Sequence, residues 1–66
     1  MKKSICDIIM NQVIDAVANY IKYYCENECT IKNVDFILNY TYNEDVIEYA
    51  IKNGIYIKVS RIINGL

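Results

Sequence analysis

The chain contains no histidine, no tryptophan and no proline, and only two glycines and one phenylalanine among its 66 residues. Without histidine it lacks the side chain that most often transfers protons near neutral pH. Its two glycines, Gly54 and Gly65, stand too far apart to form a glycine-rich loop that binds phosphate groups. These absences predict a protein that is not an enzyme and that needs no cofactor.

The three cysteines do not follow a common metal-binding pattern. Cys6 and Cys25 would lie about 28 Å apart on one predicted helix, too far for a disulfide within it, although Cys6 could join two subunits. Cys25 and Cys29 have C-x-x-x-C spacing, whereas zinc sites commonly take four ligands from C-x-x-C pairs and histidines. This spacing also permits a disulfide between Cys25 and Cys29. Reduced thiols are the favoured interpretation, and no metal is expected.

Size and charge restrict the class of protein further. A chain of 66 residues forms one small domain, 1–66, with a limited core. Because 55% of the residues are hydrophobic, we expect self-association and predict a homodimer. Six acids lie between Glu26 and Glu48 against Lys32 alone, and the pI is about 5.1. This balance disfavours phosphate binding as the main source of affinity.

No apolar run reaches the roughly 18 residues that span a membrane. The segment that follows Lys2 and Lys3 is interrupted by polar side chains at helical spacing, which a signal peptide would not tolerate. We therefore expect an intracellular, cytoplasmic protein with no membrane partner.

Apolar residues at spacings of three and four predict a first helix over residues 5–25, capped by Ser4. The apolar stripe of this helix includes Tyr20 and Tyr24, which we assign to the core. A helix of this length spans about 30 Å, so part of the stripe should extend beyond the rest of the domain. That extension is a candidate dimer seam.

Capping residues mark two further helices. Thr30 can cap a second helix, and Asn43 is a strong cap for a third helix over residues 44–53, ended by Gly54. The side chains expected to face the core from these two helices are Ile31, Val34, Ile37, Leu38, Val46, Ile47, Ala50 and Ile51.

The tail fits two secondary structures. Residues 55–60 alternate β-branched and aromatic side chains, which predicts a strand paired with the segment around Cys29 or with a second subunit. We therefore predict a mainly α fold, a small three-helix, helix-turn-helix-like domain with a short C-terminal β-strand. A weak echo at an offset of 25 residues, as between Val34 and Val59, gives the alternative. It is an all-α pair of helical hairpins that resembles a fragment of an ankyrin-like array.

The order of elements also resembles a winged helix or a generic helix-turn-helix. The resemblance covers about the last half of the chain and is carried by Thr30, Val34, Leu38, Val46, Ile51, Gly54, Ile55 and Tyr56. It implies a transcriptional regulator whose third helix enters the major groove of DNA and whose wing contacts the backbone. The side chains that would contact phosphates are Lys32, Lys52, Lys58 and Arg61. However, Glu44 and Asp45 occupy the first turn of the third helix, where phosphates would repel them.

Seven tyrosines favour contact with another protein, because tyrosine joins an apolar ring to a polar tip. An AT-rich coding sequence would also supply tyrosine, so the number alone does not decide. We assign Tyr20, Tyr24 and Tyr49 to helix packing. Tyr42 is assigned to a contact at the start of the third helix, and Tyr56 to the predicted strand. Tyr23 and Tyr40 remain for a binding surface, with the acids Glu44 and Asp45 beside them. We predict a small regulatory or inhibitory protein that binds a protein partner, with DNA binding as the alternative.

Overall fold

The computed structural model describes residues 5–65, with side chains from residue 7 onward. This part of the chain forms four α-helices: α1 (Ile5–Tyr24), α2 (Ile31–Thr41), α3 (Glu44–Lys52) and α4 (Ile55–Asn64). The mainly helical prediction is confirmed, and α1 and α3 each end one residue before their predicted bounds. Ser4 and the side chain of Cys6 lie outside the described part. None of these four helices combines the length and the hydropathy of a membrane-spanning segment.

The predicted strand over residues 55–60 is wrong, because these residues belong to α4 and residues 5–65 contain no strand. Gly54, at φ 74°, ends α3, and its carbonyl accepts the first hydrogen bond of α4 from the Lys58 amide at 3.1 Å. Ile55 and Val59 are fully buried whereas Ile57 is 62% exposed. A helix gives this pattern, but a strand would place all three side chains on one face. Burial of Ile55 and Val59 outweighs the local preference of β-branched residues for strands. The described tail therefore supplies no wing.

Side-chain caps fix the starts of α2 and α3, as predicted. The Asn33 amide donates to Oγ1 of Thr30 at 3.1 Å, and the Val46 amide donates to Oδ1 of Asn43 at 3.0 Å. Each bond satisfies an amide that has no partner within its own helix. The connection between α2 and α3 is two residues long, Tyr42 and Asn43.

The turn between α1 and α2 reverses the chain with two residues in the left-handed region, Glu26 at φ 50° and Asn27 at φ 65°. The Asn27 amide donates to the carbonyl of Ile21 at 3.2 Å, which closes the end of α1. The Asn33 side chain then donates to the carbonyl of Glu28 at 2.8 Å and ties the turn to α2. These bonds set where α2 lies beside the end of α1.

The buried core of the described residues is aliphatic, with one methionine and no aromatic ring. Helix α1 packs most extensively on α4 and next on α2, so it is the central element. No polar side chain is buried among the described residues. The buried residues are Met10, Val13, Ile14, Val17, Ala18 and Ile21 from α1, Val34, Ile37 and Leu38 from α2, Ala50 from α3, and Ile55 and Val59 from α4.

Four residues assigned to the core lie instead at the surface. Tyr20 and Tyr24 are 40% and 77% exposed, and Ile31 and Ile51 are also exposed. No neighbouring helix covers these four side chains. The apolar spacing predicted which side of each helix faces the core, but it overestimated how wide the buried part of that side is.

One side-chain hydrogen bond links α2 to α4. The Tyr56 hydroxyl donates to Oδ1 of Asp35 at 2.5 Å in a partly buried position. This bond, then burial, then the negative charge of Asp35 raise the pKa of Tyr56 above its ordinary value of about 10. The bond therefore links α2 to α4, the helix whose Ile55 and Val59 are buried in the core.

The raised pKa of Tyr56 makes part of the stability depend on alkaline pH. Because the fold holds the phenolic proton more tightly than the unfolded chain, this stabilisation is complete below pH of about 10 and is lost as the pH rises through the raised pKa. The variant Tyr56→Phe lacks this contribution. We expect the difference in unfolding free energy between wild type and variant to stay constant near neutral pH and to shrink above pH of about 10. Urea denaturation across this range measures it, and a difference that persists unchanged in strong alkali would contradict the role of the bond.

Candidate functional site

A concavity of about 620 Å³ lies between the end of α1 and the exposed side of α2. Its α2 wall uses positions 33, 36, 37, 40 and 41, which share one side of a helix. We call this concavity the aromatic groove. It is lined by Tyr20, Tyr24, Cys25, Asn33, Phe36, Ile37, Tyr40 and Thr41.

Two pairs of stacked rings form most of the groove. The ring centroids of Tyr20 and Tyr24 are 5.7 Å apart with planes at 27°, and those of Phe36 and Tyr40 are 6.3 Å apart at 10°. Each pair is spaced four residues apart on one helix, which brings the rings side by side. Phe36 is 71% exposed and Tyr40 is 83% exposed, so these rings present open faces to solvent.

The lining of the aromatic groove is uncharged. None of its lining side chains is an acid, a lysine or an arginine. Tyr24 and Tyr40 are 77% and 83% exposed, so their hydroxyls can exchange hydrogen bonds with water or with a ligand. With stacking faces and uncharged donors, the groove is suited to holding a ligand in place.

Two thiols lie at the groove or next to it. Cys25 lines the groove, and Cys29 follows in the turn, where burial raises the pKa of its thiol. A raised pKa keeps that thiol protonated at neutral pH, and the protonated form is a poor nucleophile. Both cysteines are free and partly buried. In the described part of the chain no three histidine, cysteine or acidic side chains come together as a metal site.

The four residues predicted to bind protein lie in four different depressions. Tyr40 belongs to the aromatic groove, whereas Tyr23, 81% exposed, lies in a shallow depression along α1 that Tyr20 and Tyr24 also line. Glu44 borders a depression between α2 and α3. Asp45 borders an apolar depression between α1 and α3. The structure therefore brings Tyr40 together with other aromatic rings, places Tyr23 in an adjoining depression and leaves the two acids outside both.

The four cations of the DNA-binding alternative all lie outside the aromatic groove. Lys52 is 3.4 Å from Glu48, a pair that partly neutralises it. Lys32 is exposed on α2, and Lys58 and Arg61 are exposed three residues apart on α4. This groove has no positive lining to attract phosphates.

Three of the four groove rings were not predicted as binding residues from the sequence: Tyr20, Tyr24 and Phe36. Their signal was the spacing, because aromatic residues four apart occur twice, at 20 and 24 and at 36 and 40. The two ring pairs meet in one groove only because of how α2 packs against α1, and the spacing within each helix does not show that packing.

Comparison with known proteins gives no match to a protein-family model, to a curated protein or to a solved structure. The functional argument for this chain therefore rests on the geometry and chemistry of the aromatic groove.

Proposed function

We propose that this chain is a non-enzymatic regulatory or inhibitory module that binds another protein by taking one of its segments into the aromatic groove. The observation that supports the proposal is the cluster of four aromatic rings around one uncharged concavity. A cytoplasmic location remains a prediction from the sequence.

Exposure of these rings to water is costly for the free protein. An aromatic side chain can bury roughly 150–250 Å² of surface, and apolar burial contributes about 25 cal/mol per Å². Tyr24, Phe36 and Tyr40 keep more than two thirds of their surface exposed. Covering such a cluster with a partner would recover this free energy, which is why aromatic residues dominate binding hot spots. Large exposed apolar patches commonly mark interaction sites.

A protein partner fits the groove better than a nucleic acid does. Bases could stack on the rings, but the accompanying phosphates need nearby cations, and the groove lining contains none. Lys58 and Arg61, the exposed cations of α4, are not among its lining residues. The proposal therefore places the DNA-binding alternative second.

The test compares two tyrosines with nearly equal exposure, Tyr40 at 83% and Tyr23 at 81%. A photo-reactive phenylalanine analogue at position 40 should crosslink a partner in the native host, and mass spectrometry identifies it. The purified partner is then titrated by calorimetry against wild type, Tyr40→Ala, Phe36→Ala and the control Tyr23→Ala. We expect each groove variant to bind at least about tenfold more weakly, a loss typical of a hot-spot residue, and the control to bind like wild type.

Two results would count against this function. If both groove variants bind the partner as tightly as wild type does, the groove is not the binding surface. If Tyr23→Ala alone weakens binding, the surface is the neighbouring depression on α1. Tight, salt-sensitive binding to duplex DNA that needs Lys58 and Arg61 would favour the alternative instead.

We further propose that the protein forms a homodimer through the N-terminal part of α1. Ile8 and Ile9 are 47% and 41% exposed there, and Ile9 also lines the apolar depression between α1 and α3. Sedimentation at low micromolar concentration should show a dimer that Ile9→Lys converts to a monomer. Ile57→Lys is the matched control, because Ile57 is an exposed isoleucine of α4 and the same change should leave the dimer intact. A monomeric wild type would rule out this seam.

A further inference from the structure

We infer that one copy of this chain binds a second copy by placing the exposed side of α4 in the depression between α2 and α3. This contact goes beyond the proposed function, because it uses neither the aromatic groove nor the α1 seam. Opposite charge identifies each surface as the occupant of the other. The acidic surface consists of Glu44, Ile47, Glu48 and Ile51, and the basic surface consists of Ile57, Lys58, Arg61 and Ile62.

The acidic surface lines a depression of about 510 Å³, which Asn39 and Lys52 complete. Glu44 and Glu48 lie one turn apart on α3, and the isoleucines at 47 and 51 form a second row with the same spacing. Lys52 is 3.4 Å from Glu48, but the two side chains are 73% and 69% exposed, and such a surface pair contributes little. Both carboxylates can therefore bind cations of a partner.

The basic surface is the side of α4 that faces away from the core. Ile57 and Ile62 are 62% and 40% exposed, and Lys58 and Arg61 are exposed between them. Positions 57, 58, 61 and 62 share one side of a helix. The sequence contains no acid after Glu48, so α4 has no acidic side chain that could neutralise these cations.

The two surfaces match in spacing as well as in charge. Along their helix axes, Glu44 and Glu48 are about 6 Å apart, and Lys58 and Arg61 are about 4.5 Å apart. Each surface has isoleucines beside its charged row, so the contact would bury apolar surface next to the ion pairs. The net charge of -1 causes little overall repulsion between two copies.

The contact is heterologous, because the acidic and basic surfaces are different parts of one chain. A pair of copies keeps one surface of each kind free, so association increases with concentration. Exposed ion pairs are individually weak, and we expect a dissociation constant of about 0.1–1 mM. At low micromolar concentration the contact is therefore unoccupied and does not contribute to the α1 dimer.

The test measures the weight-average mass of the Ile9→Lys chain, which removes the α1 seam, by sedimentation equilibrium up to about 1 mM protein. The mass should rise with concentration in about 20 mM salt and stay close to that of a monomer in about 0.5 M salt, because salt screens exposed charges. A monomer throughout the low-salt series would overturn the inference. The α1 seam is tested separately, by wild type at low micromolar concentration.

Charge reversal in the same chain identifies the basic surface. Lys58→Glu together with Arg61→Glu should weaken the association at least about tenfold. Lys22→Glu together with Lys32→Glu is the matched control, because it changes the net charge equally at exposed lysines outside both surfaces. If the control weakens the association as much, net charge alone is the cause and the assigned contact is wrong.

A mixing experiment tests whether the two surfaces bind each other. Glu44→Lys together with Glu48→Lys should also prevent self-association, and the neutral change to glutamine at both positions should weaken it without introducing repulsion. An equal mixture of the lysine variant and the Lys58→Glu, Arg61→Glu variant should associate again, because each contributes one intact surface. Circular dichroism checks that every variant retains its helices.

Two further results would contradict the contact. If the mixture stays monomeric while both variants are folded, the acidic and basic surfaces do not bind each other. If the chain does not self-associate but a cationic amphipathic peptide of lysine and leucine binds and requires Glu44 and Glu48, the occupant of the depression is another protein and not a second copy.

Discussion

The packing of α4 against α1 is the constraint on which the rest of the structure depends. Val17 and Ile21 of α1 and Ile55 and Val59 of α4 are all fully buried in one cluster. A chain of 66 residues can build only one core, and this contact supplies its centre. If residues 55–60 formed a strand, Ile57 would share a face with Ile55 and Val59, whereas in α4 it is 62% exposed.

With α4 in place, the core is filled by aliphatic side chains and the aromatic rings are left outside. Helix α2 covers the core with Val34 and Leu38 and presents Phe36 and Tyr40 on its exposed side. The Asp35 side chain, between these two faces, is held to α4 by Tyr56. Stability and recognition are therefore assigned to different side chains of one short helix, which is the physical basis for proposing a binding module.

Local sequence signals predicted α2 and α3, because a capping side chain precedes each of these helices. Thr30 and Asn43 accept from amides at 3.1 and 3.0 Å, as their positions before apolar runs indicated. The tail had no such cap, and its β-branched residues favoured a strand, so its structure depended on long-range burial against α1. The groove was only partly predictable. Tyr40 was identified by elimination, whereas Tyr24 was assigned to the core because spacing does not show how far neighbouring helices reach.

The most direct test of this division compares two substitutions on α2. Leu38 is fully buried and Phe36 is 71% exposed on the same helix. Urea denaturation should show that Leu38→Ala lowers the free energy of unfolding by about 2–5 kcal/mol, or leaves the chain unfolded. Phe36→Ala should lower it by less than about 1 kcal/mol, because only a surface ring pair is lost. A loss for Phe36→Ala as large as that for Leu38→Ala would show that the ring belongs to the core and would contradict the account.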